Sequence, residues 1–117
     1  MNITKHPRFE EALELIADYL EREFGDHVRV SELENMVRSG KPIGIAYTET
    51  EDEEHEIQVY VDLANYSIDT YLDGQFADSV DYNSLDDLIE HELQWLDFDS
   101  LVSLDPDLEH RWFGTEY

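Results

Sequence analysis

Phe9, Leu13, Ile16 and Leu20 recur three and four residues apart, the period of one helix face. Ala12, Leu15 and Tyr19 widen that face. The spacing predicts a helix over 7–24, with Pro7 suited to its first turn and Gly25 to its stop. The opposite side carries Glu10, Glu14, Asp18 and Glu21, a stripe whose neighbours stand about 5–6 Å apart at Cβ. A second, shorter helix is expected over 31–38. Ser31 and Glu34 read as a capping box, Leu33, Met36 and Val37 supply the apolar side, and Gly40 ends it.

From residue 42 the period changes to two. Ile43, Ile45 and Tyr47 alternate with Gly44 and Ala46. After a polar turn over 49–54, Ile57, Val59, Val61 and Leu63 alternate with Glu56, Gln58, Tyr60 and Asp62. Tyr66, Ile68, Thr70 and Leu72 then alternate with Ser67, Asp69, Tyr71 and Asp73, and Asp73-Gly74 is a hairpin signal. Phe76, Val80 and Tyr82 carry the apolar phase into a weaker fourth strand. Four strands joined by short turns make an antiparallel meander. Its apolar face requires a cover, for which the first helix is the natural candidate, and its other face presents Glu56, Asp62, Asp69, Asp73, Tyr60 and Tyr71. Ser84 opens a third helix whose buried stripe is Leu85, Leu88, Ile89, Leu93 and Leu96, with Asp86, Asp87, Glu90 and Gln94 outward. Asp86 and Asp87 also complement the positive end of that helix. A short turn from Asp99 or Ser100 through Leu104, broken by Pro106, leads to a tail in which Trp112 and Phe113 suggest docking. The expectation is one α+β domain over 1–117: two N-terminal helices, a four-stranded antiparallel β-meander, then a C-terminal helix and a short helical tail.

Charge changes this picture most. The chain has 7 Lys plus Arg and 30 Asp plus Glu, a net charge of -23. Residues 42–110 hold 20 of the acids and no base, whereas 1–41 hold six of the seven bases. With 41% hydrophobic residues and 14 aromatics in 117, the chain is equipped to fold, unlike disordered acidic segments. So large a net charge opposes the compact state, and a magnitude of about 2–8 normally suffices for solubility. Polyanions such as nucleic acid and anionic membranes are excluded as direct partners. The absence of cysteine rules out disulfides and thiolate metal sites. No signal-like or membrane-length apolar run is present, so the expected location is cytoplasmic.

Catalytic signatures are missing. His6, His27, His55, His91 and His110 accompany no Cys nucleophile and no Gly-x-Ser-x-Gly turn. His91-Glu92 lacks the second histidine of a zinc-protease helix. Carboxylate pairs are inevitable with 30 acids, and none is singled out. Asp97-Phe98-Asp99 and Asp105-Pro106-Asp107 with Glu109 offer hard oxygen ligands, but they lack the central glycine of a calcium loop. There is no Gly-rich phosphate loop and no basic patch. The expectation is a non-enzyme with no cofactor and no specific metal.

The remaining feature is the acidic surface: Glu49, Glu51, Asp52, Glu53, Glu54 and Glu56 around the first strand connection, Asp62, Asp69 and Asp73 on the sheet, Asp86, Asp87 and Glu90 on the third helix, then Asp97 and Asp99. Tyr60 and Tyr71 sit among these acids as candidate interface anchors. Carboxylates fixed on strands and helices can stand in for DNA phosphates and accept bidentate contacts from arginines. In its size, lack of cysteine and acidic α+β character, with the Glu49–Glu54 cluster, the Asp62/Asp69/Asp73 face and the Asp86-Asp87-x-x-Glu90 and Asp97-x-Asp99 runs, the chain resembles the DNA-mimic inhibitors that phages and mobile elements deploy against nucleases, of anti-restriction and anti-CRISPR type. That resemblance implies no catalysis and no cofactor. It implies binding at the DNA site of a host nuclease, with a type II RNA-guided one as the first candidate. Two other readings stand beside it. One is an antitoxin-like or immunity-like module that neutralises another basic partner; the other is a salt-adapted soluble domain whose charge serves only solubility. The outward apolar residues and the Trp112/Phe113 tail are also compatible with a homodimer.

Overall fold

The computed structural model describes residues 3–25, 27–49 and 55–102. The cluster Glu51, Asp52, Glu53 and Glu54 and the Trp112/Phe113 tail lie outside the described residues. Two helices, α1 (Phe9–Phe24) and α2 (Val30–Arg38), precede the strands β1 (Ile43–Glu49), β2 (Glu56–Asp62), β3 (Ser67–Leu72) and β4 (Gln75–Asp81). Then come α3 (Leu85–His91), a 3-10 turn at Leu93–Trp95 and α4 (Phe98–Val102). The strands form one antiparallel sheet in chain order, β1-β2-β3-β4. This is an α+β fold with the meander expected from the period-two segment.

The core forms between the helices and one sheet face. Leu13 and Ile16 of α1, Val61 of β2 and Leu85, Leu88 and Ile89 of α3 are fully buried. Leu33 of α2 and Leu93 and Leu96 beyond α3 join them. Helix α1 thus buries the stripe its spacing marks, while Glu10, Glu14, Asp18 and Glu21 stay exposed. Gly25 stops the helix at φ 72°, its N–H donating to the Glu21 carbonyl. At the other end of the chain's helical layer, Ser84 caps α3 by accepting from the Asp87 N–H.

Tyr19 brings a polar group into this core. It is 1% exposed, and its hydroxyl donates to the Ile45 carbonyl at 2.9 Å. Burial pushes its pKa up to about 12, aided by Glu23 and Asp97. Tyr19→Phe is therefore expected to destabilise the fold by about 1–3 kcal/mol, because the buried Ile45 carbonyl loses its partner. A urea titration checks this; a change of a few tenths of a kcal/mol would show that water replaces the hydroxyl.

Several local expectations are corrected. Helix α1 begins at Phe9 rather than Pro7, and α2 begins at Val30 with no side-chain cap, so the Ser31/Glu34 box is not made. Strand β3 starts at Ser67, which keeps its expected place on the outer face, opposite Asp62 and Asp81, but is buried there, and Tyr66 lies in the preceding turn at φ 55°. Helix α3 ends at His91, not near Leu96. Glu92 leaves helical geometry, and the Trp95 N–H donates to the Glu92 carbonyl. The indole N–H of Trp95 donates to the Glu90 carbonyl, closing the end of the helix.

Two further corrections alter a surface. β1 breaks its alternation between Gly44 and Ala46, and β4 breaks its own between the partners of Thr70 and Tyr71. Each break places one extra residue in the strand, Ile45 and Ala77 respectively. A bulge inverts the faces of all residues on one side of it. Tyr47, expected inward, is 52% exposed, and Phe76, expected inward, is 57% exposed.

Candidate functional site: an acidic sheet face with an aromatic row

Strand register assembles the sheet's outer face row by row. Tyr47, Gln58, Tyr71 and Phe76 lie opposite one another across all four strands. Gly44, Tyr60, Asp69 and Ser79 form the next row, and Asp62, Ser67 and Asp81 the one beyond. On the other side of the aromatic row, Glu49 stands opposite Glu56. Asp73 closes that end by accepting from the Glu56 N–H at 2.9 Å.

The aromatic rings contact each other. Tyr60 and Tyr71 meet edge to face at 5.4 Å between centroids, and Tyr71 and Phe76 at 5.8 Å. Such geometry contributes roughly 0.5–1.5 kcal/mol per pair beyond burial. Gly44 lies beside the row, where a Cβ would meet the Tyr60 ring in ordinary contact at 3.4 Å. The result is an apolar band with two ends of carboxylates. Glu49, Glu56 and Asp73 lie at one end, and Asp62, Asp69 and Asp81 at the other. No lysine or arginine occurs in these strands.

Local bonds fix Asp62, Asp69 and Asp73. Asp62 accepts from the Asn65 backbone N–H, and from its side-chain amide at 2.7 Å. Asp69 accepts from the Ser79 hydroxyl at 2.7 Å. Asp73 sits at φ 54°, followed by Gly74 at φ 80°, the two positive angles of a type I′ hairpin turn. Its second oxygen lies 2.6 Å from His55 Nδ1. The Glu49/Glu56 pair is different, since like charges directly opposite are unfavourable. Tyr47 beside them has its pKa raised, first by its hydrogen bond to Glu56, then by burial and the charges of Glu56 and Glu49.

The hydrogen bond with His55, reinforced by the Glu56 N–H, holds the Asp73 carboxyl below its usual range. A lowered folded value stabilises above the unfolded pKa of about 4 and loses that effect as pH falls through the folded value. Asp73→Asn, which tolerates the same positive φ, is therefore expected to cost up to about 1 kcal/mol at pH 7 and almost nothing at pH 2. Thermal melts of both proteins at the two pH values check it. An equal gap at both would mean that the turn, not the charge, is responsible.

The structure does not bring all the expected acids to one surface. Glu49, Glu56, Asp62, Asp69 and Asp73 share the sheet face with Tyr60 and Tyr71. Asp86 and Glu90 lie on α3, where Arg8 donates to them at 3.0 and 3.3 Å and to Glu11 at 2.9 Å. Glu11 and then Asp86 hold Arg8 firmly protonated, above its ordinary value, and Arg8 in turn lowers Glu11. Part of that helix's charge is thus neutralised, and His6 approaches Asp86 at 3.7 Å. Asp87 is half-buried beneath the α3 cap. Asp97 caps α4, accepting from the Ser100 N–H and hydroxyl, and Asp99 is exposed on α4. Tyr47 and Phe76 belong to the face and were missed by period-two reading, and Asp81, outward by that same alternation, was not among the expected acids. The available signal was the adjacent apolar pair Ile45-Ala46, which strict alternation does not allow.

Among the described residues no group of three or more His, Asp or Glu side chains is arranged to hold a metal ion, and no helix is long and apolar enough to cross a membrane. Comparison with protein-family models, with curated proteins and with solved structures finds no match to the chain.

Proposed function

We propose that the chain is a DNA-mimicking inhibitor. In this reading its outer sheet face occupies the nucleic-acid site of a basic protein, with a type II RNA-guided nuclease as the first candidate. The observation that supports the reading is the composition of that face: six carboxylates, an aromatic row and no lysine or arginine. Along β2, the span from Glu56 to Asp62 is roughly 20 Å at the usual rise per residue. Three carboxylates stand at each end of that length, so the face averages roughly one charge per 3.4 Å, the linear charge density of a single DNA strand, gathered into two groups. Rings in the middle of the face suit a protein partner, because exposed aromatics bounded by charge anchor interfaces. The attraction would be long-ranged and weakened by salt.

The test is displacement. The purified protein is titrated into guide-loaded nuclease holding fluorescent target DNA, at 0.05, 0.15 and 0.5 M NaCl. The expected result is loss of DNA anisotropy at a modest molar excess of the protein in low salt, with potency falling steeply by 0.5 M. No displacement at 0.05 M across a panel of such nucleases sinks the assignment to that class. Failure against other basic nucleic-acid-binding enzymes as well would leave the charge without a mimicry role.

A further inference from the structure

At the edge of β1 away from β2 the outer face turns into a groove of about 370 Å3, at the lower end of the roughly 300–1,000 Å3 typical of ligand clefts. Leu20 and Phe24 of α1 and Val28 of the α1–α2 connection form one wall. Ala46, Tyr47 and Tyr60 form the other. β1 pairs only with β2 among the described strands, so the groove lies at an edge of the sheet. Its walls are apolar, and two rings are left open to solvent, Phe24 at 42% and Tyr47 at 52% exposed.

Charge identifies the occupant. At the Tyr47 end the groove opens onto Glu49 and Glu56, two carboxylates held opposite each other across the strands. On α1, Glu21 and Glu23 occupy the same turn as Leu20 and Phe24, with His27 at 4.0 Å from Glu21 and Arg22 at 3.6 Å from Glu23. Arg22 also donates to the Leu96 carbonyl at 2.9 Å. Glu49 and Glu56 therefore carry the open charge beside the groove. A second copy of this chain is a poor occupant, because it would bring another -23 of charge against the same carboxylates. We infer that the groove takes an apolar side chain from an exposed segment of a protein partner, with a flanking lysine or arginine seated between Glu49 and Glu56. This rests on the proposed binding to a basic protein and adds what that binding otherwise lacks, a point of fixed register beside the diffuse field of the sheet.

The experiment is panning of a phage-displayed library of random linear 12-residue peptides on the immobilised protein at 0.15 M NaCl. Synthetic copies of the enriched peptides are then mapped by amide chemical shifts on the 15N-labelled chain. The expected peptides pair a large apolar residue with a neighbouring Lys or Arg and shift Val28, Ala46 and Tyr47. Val28→Asp and the pair Glu49→Gln/Glu56→Gln should each weaken them about tenfold or more, and the Gln pair should melt no lower than the parent. Peptides that carry bases alone and shift the whole sheet face evenly would overturn the inference, as would enrichment of base-free sequences or of none. Shift mapping on the wild-type chain decides the matter even if Val28→Asp fails to fold. The two proposals fail separately. Peptides seated in the groove with no displacement of DNA from any nuclease remove the mimicry and keep the groove. Displacement unaffected by Val28→Asp does the reverse.

Discussion

Leu13→Ala should remove about 2–5 kcal/mol of stability, the range for deleting a fully buried leucine. Leu13 has no exposed surface and lies in the same core as Ile16, Val61, Leu85, Leu88 and Ile89. Rigid elements surround the site, so the cavity has little means of collapsing. A domain of this size has only about 5–15 kcal/mol in total, and here the repulsion among 30 acids and 7 bases already works against it. The variant is thus expected to melt at least about 8 °C below the parent. It should regain part of the loss in 1 M NaCl, where the screening length falls to about 3 Å. Circular dichroism melts at low and high salt read both effects. A shift of only a degree or two would mean that α1 is not packed as described.

The second large effect has opposite signs in two assays. Glu49→Lys with Asp81→Lys replaces a carboxylate at each end of the outer face, leaving four acids and two bases where six acids stood. The new ammonium at position 49 would face Glu56 across the strands, turning an unfavourable pair into a favourable one of roughly 0.2–1 kcal/mol. Melting temperature should hold or rise. If the face is the functional surface, binding to the basic partner should fall on the order of 100-fold at 0.1 M salt, since like-charge contacts cost several kcal/mol. DNA displacement and a thermal melt on the same preparation check the pair of signs. Full potency in a well-folded double variant would move the functional surface elsewhere, with the α1 stripe as the next place to look.

The hydrophobic period carried the large-scale fold. Leu13, Ile16 and Leu88 announced buried helix faces, and Val59 and Val61 announced a buried strand face, because burial leaves a fixed repeat in the residues it selects. The Asp73-Gly74 turn was equally legible, since two positive φ angles admit few residue types. The aromatic row was only half legible. Tyr60 and Tyr71 lie in regular stretches of β2 and β3, so alternation placed them outward. Tyr47 and Phe76 lie beyond bulges, which are properties of strand pairing, and a single strand read alone does not reveal its partner's register. The helix-bound acids illustrate another limit. Asp86 and Glu90 read as outward charge from their spacing, but their neutralisation by Arg8, 78 and 82 residues away in the chain, has no local trace.

Ile45 and Ala77 give the sheet an unusual tolerance. Each is the extra residue of its strand, and the residues on either side already hold the pairings of a regular ladder. Removing Ala77 alone would leave Phe76 opposite Tyr71 and Asp78 opposite Thr70, in strict alternation. The same deletion in β1 at Ile45 would leave Gly44 opposite Tyr60 and Ala46 opposite Val59, with Tyr47 and Glu49 still outward. A change of length by one residue at either site can therefore pass without rewriting the surface chemistry of this protein, whereas the same change elsewhere in a strand turns its neighbours over. Among divergent versions of such a chain, single deletions at these two positions should leave binding intact.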